Sequence, residues 1–314
     1  MVDYNQRDIG IGGAIWVSGI TLLIASFISL RHIWVNNKNP HYREAQKWLN
    51  VILLGPMLVG WPCWAIVIVG SAIGLLEVAA DVMKALIVYV FVEYTIRMLG
   101  WQSDSTGSHY DPMKVDVAVS SVEKVKHKCP CFGSISLETP KHVHSFLWRV
   151  KWAMIQYGLT FLLSAVASCI LLYGFSTDYL HYGSSDFQYG YVYINYAKIV
   201  TSIYAMYFMM MFMKVTKEVK ELKNLNMTPK FKVIEYAFMV TQIQPSIIGL
   251  AASYGLIADT TDDDSVKYVT IYTSNLLLCV EMIILAFVNW VVFPISDYKG
   301  HGASQPLISQ IKNI

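Results

Sequence analysis

Charge is what this chain has least of. Only 15% of its 314 residues are Asp, Glu, Lys or Arg, against 55% hydrophobic, and the two signs nearly cancel to a net +2. So small an excess excludes a nucleic-acid-binding surface, and a soluble domain could not hide so much apolar sequence in one core. Cysteine is scarce too, at five residues. Cys63, Cys169 and Cys279 lie within apolar runs, while Cys129 and Cys131 share a Lys-rich loop, which excludes a disulfide framework and suits a reducing, cytosol-facing setting. Enzyme signatures are missing: there is no Gly-rich phosphate loop, no G-x-S-x-G elbow and no H-E-x-x-H. Histidine hardly occurs in the apolar blocks, so intramembrane hydrolysis is not expected, and no cofactor or metal is implied. The opening MVDYNQRDIG has no basic n-region and no small-residue cleavage site follows the first apolar block, so a cleaved signal peptide is not expected. No internal repeat is visible.

What the chain does have is long apolar blocks, each sufficient at 1.5 Å per residue to cross a hydrocarbon layer of about 30 Å. They run approximately from Ile9 to Leu30, Leu49 to Ser71, Ile73 to Leu99, Lys151 to Phe175, Tyr191 to Met213, Val233 to Ile257 and Val266 to Pro294. The expected fold is therefore all-α, a polytopic bundle of seven transmembrane helices. It fills residues 1–299, with a Cys-containing loop over 100–150 and a short cytosolic tail over 300–314.

Loop charges set the orientation, because Lys and Arg near membrane ends are retained in the cytoplasm. The first, third and fifth loops are rich in Lys and Arg; the fourth, STDYLHYGSSDFQYG, has none, and the sixth, ADTTDDDSVK, is acidic. The alternation places the N-terminus outside and the C-terminus in the cytosol. The sequon Asn226-Met227-Thr228 then falls in a cytosolic loop, with Pro229 directly after it, and is expected to be unused.

Within the third block, EVAADVMK puts Glu77, Asp81 and Lys84 on one helix face at i, i+4 and i+7. A charge at mid-bilayer depth costs about 2.5–3.5 kcal/mol, so such groups face the bundle interior or a water-filled cavity, and they pair. Other blocks add Lys198, Glu235 and Glu281 and the amides Asn195, Gln242, Gln244, Asn275 and Asn289. These residues line a path through the bundle, or each charge is paired for structural reasons alone.

Four stretches carry a family resemblance: MKALIVYVFVEYTIRMLGW in the third block, SIYAMYFMMMFMKVTKEV in the fifth, PKFKVIEYAFMVTQIQ entering the sixth, and KHKCPCFGSISLETPK before the fourth. In order and spacing they resemble the organic solute transporter alpha-subunit family over nearly the whole chain. The resemblance implies facilitative transport of amphipathic organic anions, such as steroid or bile-acid conjugates, meeting Lys84 or Lys198. It also implies a small single-span partner subunit, with homo-oligomer formation as the competing arrangement. Gly249, Ala251, Ala252 and Ser253 are small residues that could receive that helix. Set against the family pattern, Lys84 stands where an acidic residue is expected and Glu235 where a basic one is expected. This double reversal predicts a Lys84 to Glu235 bridge; Lys84 and Glu235 differ in depth, however, and Arg97 sits at a depth that suits Glu235 better, so a pair between Arg97 and Glu235, with Lys84 then balanced by Asp81 or Glu281, ranks beside it.

Cys129 and Cys131, close to the membrane on the basic side, are candidates for palmitoylation. A zinc site joining them to His127, His142 and His144 lacks the common C-x₂-C spacing, and an ordinary loop is the remaining reading. The competing function class is a seven-span receptor-like, trafficking or signalling protein without transport. The third block ends IRMLGW rather than in a DRY-like triplet and the seventh lacks a clean NPxxY, which ranks a receptor behind a transporter. Lipid and an amphipathic anion or sterol-like molecule are the expected ligands. A multi-pass location in the plasma membrane, with endosomal cycling, is expected.

Overall fold

The computed structural model describes residues 4–37, 43–69, 73–104, 107–122, 137, 139–171, 190–219, 222, 226–253, 256 and 263–294. Among them are eight helices and one small hairpin: α1 (Tyr4–Asn37), α2 (Arg43–Val69), α3 (Ile73–Leu99), β1 (Trp101–Asp104), β2 (Gly107–Tyr110), α4 (Pro112–Ser120), α5 (Pro140–Ile170), α6 (Gly190–Glu218), α7 (Met227–Ser253) and α8 (Asp263–Val292). The fold is helical, as the apolar blocks require. All helices except α4 have 27 residues or more, so each exceeds the ~30 Å of a hydrocarbon layer. Local chemistry starts two of the helices. Asp111 caps α4 by accepting from the Met113 amide at 2.9 Å, and Thr139 caps α5; in both cases proline follows at the first helical position, where its missing N–H costs nothing.

The long helices pack in a closed ring. Each touches the next, α1 on α2, α2 on α3, α3 on α5, α5 on α6, α6 on α7, α7 on α8 and α8 on α1, while α2 also meets α8 and α3 meets α7 across the middle. Their outward faces are apolar and uncovered: Phe27 is 67% exposed, Leu163 65% and Ile203 65%. Side chains of that kind facing outward around a whole ring belong in lipid. Five helices are apolar and long enough to cross a membrane, with spans over Gly13–Asn37, Ala45–Ile68, Pro140–Ser168, Val192–Glu218 and Tyr272–Val292. Asp81, Lys84, Glu93 and Arg97 with Glu77 spread charge along an otherwise apolar α3.

Buried serine and threonine hydroxyls mostly close on their own helices. Ser26 donates to Leu22 O at 2.8 Å, Thr95 to Phe91 O at 2.9 Å and Thr216 to Phe212 O at 2.9 Å, so these residues contribute packing rather than a polar path. The core divides in two. A large cluster surrounds the C-terminal half of α3, where Phe91 meets Phe231 edge to face at 4.8 Å and Tyr94 meets Phe293 at 6.2 Å. A smaller one, with Leu22, Val59, Cys63, Cys279 and Met282, joins α1, α2, α3 and α8 near the other end. Close approach is needed there: a Cβ on Gly60 would run into Leu22 and stand 3.2 Å from Met282 Cγ.

The segment after α3, expected to be loop, is built instead. β1 and β2 pair antiparallel with Trp101 opposite Tyr110, and α4 buries Val115, Ala118 and Val119 against α3 and α5. Gly100 permits this return. Its carbonyl accepts from the Asp111 amide at 2.8 Å, and a Cβ there would overlap the Tyr110 ring and approach Asp111 O to 2.9 Å. Cys129, Cys131 and His127, the tail over 300–314, and the side chains of Gly249, Ala252 and Ser253 lie outside the described residues. His142 and His144 are exposed, and among the described residues no group of three or more His, Cys, Asp or Glu could hold a metal.

Candidate functional site

The residues that sequence placed inside the bundle separate into three groups along α3. The first is built on Asp81. Lys84, one turn on, sets its Nζ 3.0 Å from Asp81 Oδ1, and Lys198 reaches across from α6 to within 3.6 Å of Asp81 Oδ2. Lys198 also stands over the Phe161 ring of α5, 5.0 Å from its centroid. One carboxylate thus serves two ammonium groups, both largely buried, and ties α3, α5 and α6 together. Asn195 is half-buried on α6, one turn before Lys198. The helix of α3 is placed at Glu77, but its side chain lies outside the described residues, as does that of Gln242.

A cavity of about 40 Å³ lies where the two core clusters meet, between α2, α3, α7 and α8, with Lys84 and Asn289 among the residues around it. Ile52, Gly55, Ile87, Phe238 and Leu285 give it apolar walls. That is room for water, not for an organic solute. A second, larger groove of about 190 Å³ runs between α7 and α8 and shares Ala237, Thr241, Met282 and Leu285 with the first as a common wall. It is flanked by Tyr236 and Ile284, 62% and 54% exposed on the outer face, with Lys232 at one end and Glu281 inside. Gln244 stands beside Glu281, yet neither amide atom of Gln244 nor Oε2 of Glu281 closes a hydrogen bond among the described residues. Asn275, six residues earlier on α8, is buried.

The predicted bridge from Lys84 to Glu235 does not form, and neither does the alternative from Arg97 to Glu235. On α7 the residues facing the inner cavity are Ile234, Ala237, Phe238 and Thr241, at i, i+3, i+4 and i+7. Glu235 projects about 100° away from that stripe, so its register takes it off the face that α3 sees. Of the partners considered for Lys84, Asp81 is the one found.

Arg97 belongs to the third group, at the far end of α3. Glu93 is only 5% exposed and carries the charge that organises it: Lys151 of α5 lies 2.5 Å from Oε1, the Tyr89 hydroxyl donates at 3.3 Å, and Arg97 Nε stands 4.0 Å from Oε2. Arg97 in turn lies 4.5 Å above the Tyr110 ring, linking the cluster to the hairpin. Twelve residues separate Asp81 from Glu93, about 18 Å along the helix, so the two charge clusters are independent. Sequence reading missed the role of Lys151, which begins an apolar block and looks like a flanking charge. The Glu93-x₃-Arg97 spacing was visible, but the third partner came from a helix more than 50 residues away.

A family model described as organic solute transporter Ostalpha matches residues 14–298. Comparison with curated proteins and with solved structures returns no match.

Proposed function

The chain belongs to the organic solute transporter Ostalpha family, and from that premise we propose that it moves amphipathic organic anions across the membrane through the bundle interior, past Lys84 and Lys198. The observation that carries this reading is a charge cluster inside the ring, where Asp81 of α3 meets Lys84 and, from α6, Lys198, beside cavities with apolar walls. Cations held in a low-dielectric interior attract an anion more strongly than they would in water. The apolar walls suit a hydrophobic body on that anion. A soluble inorganic ion would gain nothing from them.

In this reading α3 and α7 are also spans, completing seven, because polar residues that line an interior do not have to be paid for in lipid. The N-terminus lies outside and the C-terminus in the cytosol, following the loop charges. Transport is facilitative, since no nucleotide-binding element is in the sequence, and a single-span partner helix docks on the ring at the plasma membrane. The test is uptake of a labelled steroid sulfate by proteoliposomes, with and without a co-reconstituted single-span subunit. Saturable uptake that falls at least tenfold in Lys84→Gln is expected. Uptake equal to that of protein-free liposomes in both preparations would sink the transport reading. Glycan attachment at Asn226 would overturn the orientation.

A further inference from the structure

The groove between α7 and α8 opens on the outer face of the ring, where lipid lies, and no member of either charge cluster lines it. Its two walls are antiparallel. Lys230, near the start of α7, stands 5.5 Å from the Phe293 ring just past the end of α8, while Gln244 lies beside Glu281. On α7 the groove runs from Lys232 to Thr241, and on α8 from Val288 back to Glu281. The α7 stretch rises about 13 Å. Half of a hydrocarbon layer of about 30 Å is about 15 Å, so the groove is as deep as one leaflet.

The Lys232 end lies at the level of the headgroups. Trp290, level with Ile234 in this antiparallel pairing, is 44% exposed on the outer face of α8, and Tyr236 is 62% exposed on α7. Amphipathic rings of this kind settle at the membrane–water boundary. Two cations share that level. Lys232 is exposed and forms no ion pair among the described residues, and the Arg31 guanidinium of α1 stands 5.9 Å from the Trp290 ring centroid. The other end, at Glu281, falls near the bilayer centre.

The shape of the groove decides its occupant. Its 190 Å³ or so is less than the roughly 300–1,000 Å³ of a compact small-molecule pocket, and a second helix, about 10 Å across, would lie over the groove and not in it. A hydrocarbon chain is thin enough, and Val233, Ala237, Val240, Ile284, Leu285 and Val288 offer it apolar contact along the whole length. We infer that the groove holds an acyl chain of an anionic phospholipid, with the phosphate at Lys232 and the chain running inward along α7 and α8 toward Glu281. On the orientation proposed above this is a lipid of the cytoplasmic leaflet; the site itself depends neither on that orientation nor on transport.

Photocrosslinking of the full chain tests it. The protein is reconstituted in phosphatidylcholine liposomes containing a trace of phosphatidylserine with a diazirine at the middle of one acyl chain, irradiated, and its adducts are mapped by mass spectrometry. The same probe with a choline headgroup is run beside it. Adducts are expected to concentrate on the groove walls around Ala237, Val240 and Leu285, well above those on equally exposed outer residues such as Phe27 and Leu163. The serine headgroup should raise the groove yield about fivefold over choline, the scale of one lysine facing anionic lipid. Lys232→Gln should bring that ratio to about one while the adducts stay in the groove, and Ala237→Phe, which fills the groove, should remove them. In the wild type alone, adducts spread around the ring in proportion to exposure, or equal groove yields from the two headgroups, would overturn the inference. So would displacement of the groove adducts by a steroid sulfate, which would assign the groove to the transported solute instead.

Discussion

Replacing Asp81 by asparagine removes a charge and almost no volume, so it isolates electrostatics at the head of the cavity. At an effective dielectric of about 20, the contacts of 3.0 Å to Lys84 and 3.6 Å to Lys198 correspond to gross attractions of about 5.5 and 4.6 kcal/mol. Solvent takes part of this back, because Lys198 is 31% exposed and Asp81 19%, and less at Lys84, which is 11% exposed. Breaking a buried pair by removing one member costs about 3–5 kcal/mol, chiefly because the other is left uncompensated. Asp81→Asn is therefore expected to lose about 3 kcal/mol, the lower end, in reversible unfolding of the purified chain in mixed micelles. Adding Lys84→Gln removes the stranded ammonium, so the double variant should be more stable than the sum of the single losses by well over 0.5 kcal/mol, roughly the scatter seen for independent sites. Losses that add within that scatter would refute the coupling. The same variant bears on function: with its carboxylate gone, Lys84 should gain more stabilisation from a saturating steroid sulfate than it does in the wild type. Combining Lys84→Glu with Glu235→Lys should rescue nothing, since Glu235 lies on another face of α7.

Gly100→Ala should destabilise the chain by about 1–3 kcal/mol, as overpacking does, because the new Cβ meets the Tyr110 ring and the Asp111 carbonyl oxygen. Thermal unfolding together with limited proteolysis of the hairpin measures it, and an unchanged melting point would mean that hairpin and helix are not clamped at this residue. Lys151→Met should cost about 3 kcal/mol because it leaves Glu93, 5% exposed, with the more distant Arg97, at 4.0 Å, as its remaining cation among the described residues. Restoring stability by adding Glu93→Gln would confirm that the loss is a stranded charge; a further drop would assign Lys151 a packing role instead.

Much of this protein was legible without coordinates, for one reason. The bilayer imposes a single requirement, apolar helices long enough to cross it, and that requirement is one-dimensional. Hence the long helices, their order and the outward apolar faces could be read from block lengths, and the family from the order of its short motifs. The placement of Asp81 and Lys84 on one face of α3 is likewise local, set by helical spacing.

What sequence could not decide was which inward-facing groups meet. Two reversed signs suggested Lys84 and Glu235, yet the choice depends on the rotation of α7 about its axis, and one residue of register, about 100°, carries Glu235 off the shared face. The partners that do form, Lys198 with Asp81 and Lys151 with Glu93, bridge positions 117 and 58 residues apart and appear only once the ring has closed. The hairpin and α4 were hidden because they pack beneath the bundle and present no apolar block of their own. Asn289 looked like one amide among several; that its Oδ1 is buried beside a small apolar cavity without a hydrogen bond among the described residues follows from packing between helices, where register and tilt combine to leave space that no single helix encodes.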